Sequence, residues 1–226
     1  MRDDVHMVMW VTSRCNLRCP LCNERSAIDE NPNYDMPLEE LMQFIDSSVR
    51  RGIHYAAVEL TGGEPTLWPY FIEGLRMLAN SEIASWTTFV TNGRDAATVA
   101  NAVHEVTPIY GVSATQATSE QVAEHLRVNP NIFVNSSPHR RTPDLPVPGS
   151  LPAICVVENN RAGRRVLPLA YYDGWVYHCC TARALGGHQL SCPFEGDFLQ
   201  FFTDMPRSQP ICQRCLCNSK VWSSLS

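Results

Sequence analysis

The stretch Met7-Val8-Met9-Trp10-Val11-Thr12-Ser13-Arg14-Cys15-Asn16-Leu17-Arg18-Cys19-Pro20-Leu21-Cys22 decides how the rest of the chain is read. Residues 7–13 are an apolar run of strand length, the pattern of a buried strand. Three cysteines follow at once, with three and then two residues between them. A cubane iron–sulfur cluster takes one thiolate per iron. Three thiolates on one short loop therefore hold three irons and leave the fourth without a protein ligand. An open metal position belongs to a site that binds substrate or cofactor rather than to a closed structural site. Zinc is the competing reading, but zinc normally takes four ligands, and this loop offers three with no histidine nearby.

Downstream of the loop, strands and helices alternate. Pro37 opens a helix with Leu38, Leu41, Met42, Ile45 and Val49 at helical spacing and Gly52 just past its end. Strands are expected at 55–61, 86–91, 108–113 and 131–136. Helices are expected at 68–80, 95–106 and 118–127, and a last barrel strand at 153–157. This order implies a parallel sheet with right-handed crossovers. Residues 137–152 carry four prolines and read as an ordered loop or linker. Residues 166–172 and 175–178, joined by Asp173-Gly174, predict a hairpin. The expected fold class is α/β, a partial (β/α)6 TIM-like barrel over residues 1–160, with a small C-terminal cysteine-rich cluster domain over 161–226.

Bulk composition narrows the function classes. The chain has 226 residues, 44% of them hydrophobic, and a formal net charge of −5. A core can form. The electrostatic footprint of a polynucleotide-binding protein is missing, so a nucleic-acid substrate is disfavoured. There is no secretory apolar run at the N-terminus and no stretch of bilayer-spanning length, which predicts a cytoplasmic protein with no membrane partner. Ten cysteines in a reducing compartment point to metal ligation rather than to disulfides.

The motif Cys15-x3-Cys19-x2-Cys22 after the first strand resembles the signature loop of the radical S-adenosylmethionine superfamily. The resemblance implies a [4Fe–4S] cluster on Cys15, Cys19 and Cys22. Its open iron is chelated by the amino and carboxylate groups of S-adenosylmethionine, whose reductive cleavage gives a 5′-deoxyadenosyl radical that abstracts hydrogen from substrate. Three further matches fall at strand ends. Gly62-Gly63-Glu64-Pro65 resembles the family segment that contacts the methionine amino group; glycines permit close backbone approach, and a carboxylate accepts from an ammonium. Thr91-Asn92-Gly93 resembles a common feature after the third strand, with an ordinary turn as the alternative. Ser113 matches a cofactor-contacting serine, while Thr115 stands where relatives carry an aspartate. Gly62, Gly63, Glu64, Asn92 and Ser113 are thus the expected cofactor-binding residues.

A second cysteine group closes the chain. The hairpin leads into Cys179-Cys180, followed by Gly187-x4-Cys192 and Cys212-x2-Cys215-x-Cys217. This arrangement resembles the twitch domain, the short relative of the SPASM extension. The resemblance implies an auxiliary iron–sulfur cluster on Cys180, Cys192, Cys212 and Cys215. Cys179 is an alternative to Cys180, and Cys217 to either late ligand. A zinc ribbon or knuckle is the other reading of these cysteines. Cys155, in an apolar strand, reads as a small buried hydrophobe. His139, Arg140 and Arg141 are a solvated loop or an anion clamp.

Candidate catalytic residues are Glu158, a proton acceptor or a surface ion-pair partner, and Tyr171, which lines the pocket or packs in the hairpin beside Tyr172. Barrel-plus-twitch architecture resembles the radical dehydrogenases of aminocyclitols. That implies an oxidoreductase abstracting hydrogen from a small polar substrate, with the auxiliary cluster as electron acceptor and flavodoxin or ferredoxin as the donor. The alternatives are radical modification of a peptide, radical rearrangement of a modified nucleotide or nucleic-acid base, and a non-catalytic zinc-binding module.

Overall fold

The structure, a computed structural model, describes residues 5–17, 33–105, 109–114, 134–136, 167–178 and 190–204. Among the described residues eight strands form one sheet: β1 (Val5–Thr12), β2 (Ala57–Gly62), β3 (Thr87–Val90), β4 (Ile109–Ala114), β5 (Val134–Ser136), β6 (Leu167–Tyr172), β7 (Trp175–Tyr177) and β8 (Ser191–Pro193), in the spatial order β5-β4-β3-β2-β1-β6-β7-β8. The pairs from β5 through β1 to β6 are parallel; β6–β7 and β7–β8 are antiparallel. Four helices are described: α1 (Leu38–Arg50), α2 (Phe71–Ser81), α3 (Ala96–Glu105) and α4 (Phe198–Asp204). This is the expected α/β class with a parallel-rich sheet of the partial TIM-like barrel kind.

Each element follows from its local sequence. Pro37 stands at the N-cap of α1, where its missing N–H costs nothing, and Gly52 past the end adopts φ +61. The helix expected from residue 68 starts at Phe71 instead. Pro69 forces Trp68 into an extended conformation (ψ 125), so only a short 3-10 turn, Pro65–Leu67, precedes it. Asp95 caps α3 by accepting from the Thr98 N–H at 3.0 Å. Asp173 and Gly174 both have positive φ, 48 and 73, as a tight two-residue hairpin requires.

The two faces of the sheet separate by residue parity. Met7, Met9 and Val11 of β1 pack with Leu41 and Phe44 of α1, Leu60 of β2 and Phe89 of β3 in the main core. Val8, Ala170 and Tyr177 form a smaller cluster on the opposite face, with Tyr172 against it. The hairpin was expected as part of a separate C-terminal domain. Its first strand, β6, is hydrogen-bonded to β1 from Val5↔Leu167 to Met9↔Tyr171. The helix expected at 118–127 and the strand at 153–157 lie outside the described residues. Among the described residues no helix is long and apolar enough to cross a membrane.

Candidate functional site

All parallel strands present their carboxyl ends on one rim, the side where α/β proteins place their chemistry. The cysteine loop leaves β1 at that rim, and its two ends are clasped together. Ser13 N–H donates to Tyr34 O (2.9 Å), Met36 N–H to Val11 O (2.8 Å), and Tyr34 N–H to Ser13 Oγ (2.9 Å). The Arg14 guanidinium meets the Asp35 carboxylate through two nitrogens, and Thr12 Oγ1 donates to the same carboxylate at 2.7 Å. Fixing both ends in this way removes the loop-closure entropy that a free cysteine loop would have to lose on binding metal.

The Gly-Gly-Glu segment then docks on the base of that loop. Gly63 N–H donates to Thr12 O at 2.7 Å and Glu64 N–H to Arg14 O at 2.8 Å. A Cβ on Gly62 would lie 2.1 Å from Thr12 O, and one on Gly63 would lie 2.1 Å from Arg14 O. Gly62 also has φ +134. Both positions therefore exclude a side chain, and the close approach that demands glycine is to the cysteine loop's own backbone.

Glu64 is buried, and protein donors occupy its carboxylate. Oε1 accepts from Thr91 Oγ1 (2.6 Å), Thr66 Oγ1 (2.8 Å) and Thr66 N–H (3.2 Å), and Oε2 accepts from Asn92 N–H (2.7 Å). A carboxylate has about four lone-pair sites, so this one is close to saturated by the fold. Its place is to tie the end of β2 to the end of β3. Asn92 in turn donates from Nδ2 to Asn16 Oδ1 at 2.7 Å, inside the cysteine loop. Cys15 is half-buried and not in a disulfide, and its Sγ accepts from Leu17 N–H at 3.4 Å. N–H groups aimed at a cysteine sulfur favour the thiolate that iron needs.

Cys15, Gly62, Gly63, Glu64 and Asn92 are thus brought together. Ser113 lies on β4 in register with Val90, one strand further along the same rim. Cys19, Cys22, Glu158, Cys180, Cys212 and Cys215 lie outside the described residues.

Tyr171 is buried on the core face against Phe44 and Phe194, beside the Glu40 carboxyl, and burial pushes its hydroxyl well above the usual tyrosine range. Its neighbour Tyr172 lies on the other face, with its ring 4.5 Å from Tyr34 and 6.1 Å from Trp10. Of the two expected pocket tyrosines, Tyr172 is the one beside the cysteine loop. Cys192 pairs across β8–β7 with the buried Val176 and is half-buried; burial, with Asp197 nearby, raises its thiol pKa. Sequence reasoning missed Thr66, Thr91, Asn16 and the Arg14–Asp35 clasp. Opposite charges bracketing the cysteine loop were the signal for the clasp.

The Radical SAM superfamily model matches residues 9–132, more than half of the chain. GTP 3′,8-cyclase of Peptoclostridium acidaminophilum is 37% identical over 84 residues, which are 37% of this chain and 25% of that protein. Molybdenum cofactor biosynthesis protein 1 of Bos taurus is 31% identical over 93 residues, 41% of this chain and 14% of that protein. The matches thus span about a quarter or less of these curated relatives. The crystal structure of BtrN in an open conformation superposes with a TM-score of 0.55 at 11% identity, covering 89% of this chain and 80% of that one.

Proposed function

Because the chain belongs to the Radical SAM superfamily, and is an enzyme of that type whose family implies a [4Fe–4S] cluster and S-adenosylmethionine, we infer that Cys15, Cys19 and Cys22 hold the cluster and that the rim around Gly62–Glu64, Asn92 and Ser113 receives the cofactor. The residues fit this assignment. Cys15 sits on a loop whose base is fixed from three sides, and a backbone N–H already points at its sulfur. When bound, the pair supplies one-electron reductive cleavage and hydrogen-atom abstraction. The polypeptide orients the cofactor and excludes competing reactions. Gly63 and Glu64 lock the cysteine loop onto β2, and Asn92 locks it onto β3. Family membership sets aside the non-catalytic zinc module.

The substrate is a small polar molecule, and the reaction is a hydrogen abstraction that ends in dehydrogenation. Cys180, Cys192, Cys212 and Cys215 would hold an auxiliary iron–sulfur cluster, which would supply an electron acceptor for that oxidation, and a flavodoxin or ferredoxin would serve as the electron donor. The observation that carries this reading is the pairing of β6 with β1. β6 runs beside β1, the strand that leads into Cys15, and the β6–β7 hairpin carries the chain on toward the cysteine-dense segment. A second reading, rearrangement of a nucleotide, is favoured by the 37% identity to a GTP 3′,8-cyclase.

One experiment separates the two. The anaerobically reconstituted protein is given S-adenosylmethionine, reductant and either a deuterated aminocyclitol or GTP deuterated on the ribose. Deuterium in 5′-deoxyadenosine from the first supports dehydrogenation, and from the second supports rearrangement. No 5′-deoxyadenosine under any condition, with the first cluster intact, would end both.

A further inference from the structure

Protein donors fill the carboxylate of Glu64 but not that of Glu59, which lies within β2. Strand register places Glu59 beside Val8 of β1 and Thr88 of β3. Val8 belongs to the small cluster on the face opposite the main core, so Glu59, Thr61 and Thr88 share that face. Among the described residues no helix side chain enters that cluster, whereas α1, α2, α3 and α4 all pack into the main core. Helices ring the outside of a barrel, so the helix-free face is its interior. Val8, Thr61 and Thr88 are buried there, yet the Glu59 side chain keeps 21% of its surface accessible. Its ion-pair partner among the described residues is His6, whose Nε2 lies 3.6 Å from Oε2. That is beyond hydrogen-bond distance, and the nitrogen is buried without a hydrogen-bond partner. The barrel interior thus holds an accessible carboxylate that the fold leaves short of donors.

We propose that Glu59 is a specificity residue: it pairs with an ammonium group on the substrate and turns away polyanions such as a nucleoside triphosphate. This rests on the small polar substrate inferred above and adds that the molecule is an amine. Glu59 stands three positions before Gly62, about 10 Å along the strand from the rim assigned to the cofactor. That gap suits a molecule of a single ring, with one end presented to the cofactor and its ammonium to the carboxylate. An ammonium supplies the donors that Glu59 lacks, in a charge-assisted hydrogen bond strengthened by the low dielectric of the interior. A triphosphate in the same place would set like charges together where little water screens them, and the site discriminates by that repulsion.

The test uses the full chain, reconstituted with iron and sulfide and with S-adenosylmethionine bound. Calorimetry gives its affinity for scyllo-inosamine, for scyllo-inositol, which has a hydroxyl in place of the amine, and for GTP. Wild type is expected to bind the amine about 10- to 100-fold more tightly than the inositol, as one hydrogen bond to a charged group provides. GTP should bind no better than the inositol. Glu59→Gln, close in shape, should bring the amine down to the inositol's affinity, with S-adenosylmethionine affinity and iron content at wild-type values. A His6–Glu59 pair that only braces the barrel would change stability and leave the amine-to-inositol ratio alone. An unchanged ratio in Glu59→Gln therefore overturns the assignment, as does a wild type that binds the two cyclitols equally or the amine not at all. Deuterium passing from either labelled cyclitol to 5′-deoxyadenosine would keep the dehydrogenation reading standing even then. Tight binding of GTP, with deuterium transfer from GTP alone, overturns that reading and this assignment together.

Discussion

Glu64→Gln tests the claim that this carboxylate belongs to the fold before it belongs to the cofactor. The amide oxygen of glutamine can take the place of Oε1 and keep the bonds from Thr91 and Thr66. The amide nitrogen then replaces Oε2 and meets the Asn92 N–H, which donates to Oε2 at 2.7 Å in the wild type. Two donors face each other in a buried place. A hydrogen bond to a charged acceptor contributes about 1.5–3 kcal/mol, and a stranded buried donor costs about 1–3 kcal/mol. The two terms overlap, so a loss of about 3 kcal/mol is expected, more than a hundredfold in the folding equilibrium. Anaerobic urea unfolding of the cluster-free protein, followed by tryptophan fluorescence, measures it without any contribution from the cofactor. A variant within about 0.5 kcal/mol of wild type that has lost only S-adenosylmethionine binding would refute the reasoning. The carboxylate would then serve the ligand, and its four protein partners would be incidental.

Three further outcomes are expected. Gly63→Ala, whose Cβ would lie 2.1 Å from Arg14 O, should abolish iron loading at the first cluster, whereas Gly52→Ala, with φ +61 and nothing within 4 Å, should cost only about 1–2 kcal/mol; equal iron content in the two variants would contradict the close-approach argument. Arg51→Met removes guanidinium bonds to Phe194 O and Gly196 O and the stacking over Phe194 and Phe198, and should destabilise by about 2 kcal/mol while speeding amide exchange in β8; unchanged exchange there would show that the clamp does not hold β8. Glu40 has its pKa raised by burial and then by Asp173, so its contribution is full at low pH and is lost as pH rises above the ordinary glutamate range through its raised value; wild type should lose stability relative to Glu40→Gln over that rise, and a difference that stays flat in a pH series of urea midpoints would contradict it.

Parts of the fold are legible from the letters because local rules act there without interference. The apolar run at 7–13, the proline at 37 and the Asp173-Gly174 turn each specify one conformation, and each is found. The helix start at Phe71 was also written in the sequence, in the restriction that Pro69 imposes on Trp68, but helical spacing of the apolar residues masked it. The pairing of β6 with β1 was not legible. Nothing in residues 167–172 names a partner strand about 160 positions away, and sequence order suggested a separate unit.

At the site, the glycines and Glu64 were picked out for their chemistry toward a ligand. Their close contacts are with other parts of the chain, a distinction that spacing alone does not carry. Tyr171 and Tyr172 look alike as adjacent letters. Strand parity sends one to the core and the other toward the cysteine loop.

The placement of β6 against β1 has a consequence for anyone who would shorten or recombine this protein. The strand that launches the cysteine loop is an interior member of the sheet, flanked by β2 on one side and β6 on the other. Cutting the chain ahead of residue 167 would bare an unprotected ribbon from Val5 to Met9, apolar at most positions, and such edges recruit other copies of themselves. The strand β6 is therefore no detachable piece of this sheet. Grafting a tail from a relative onto this barrel requires carrying the matching first strand along with it.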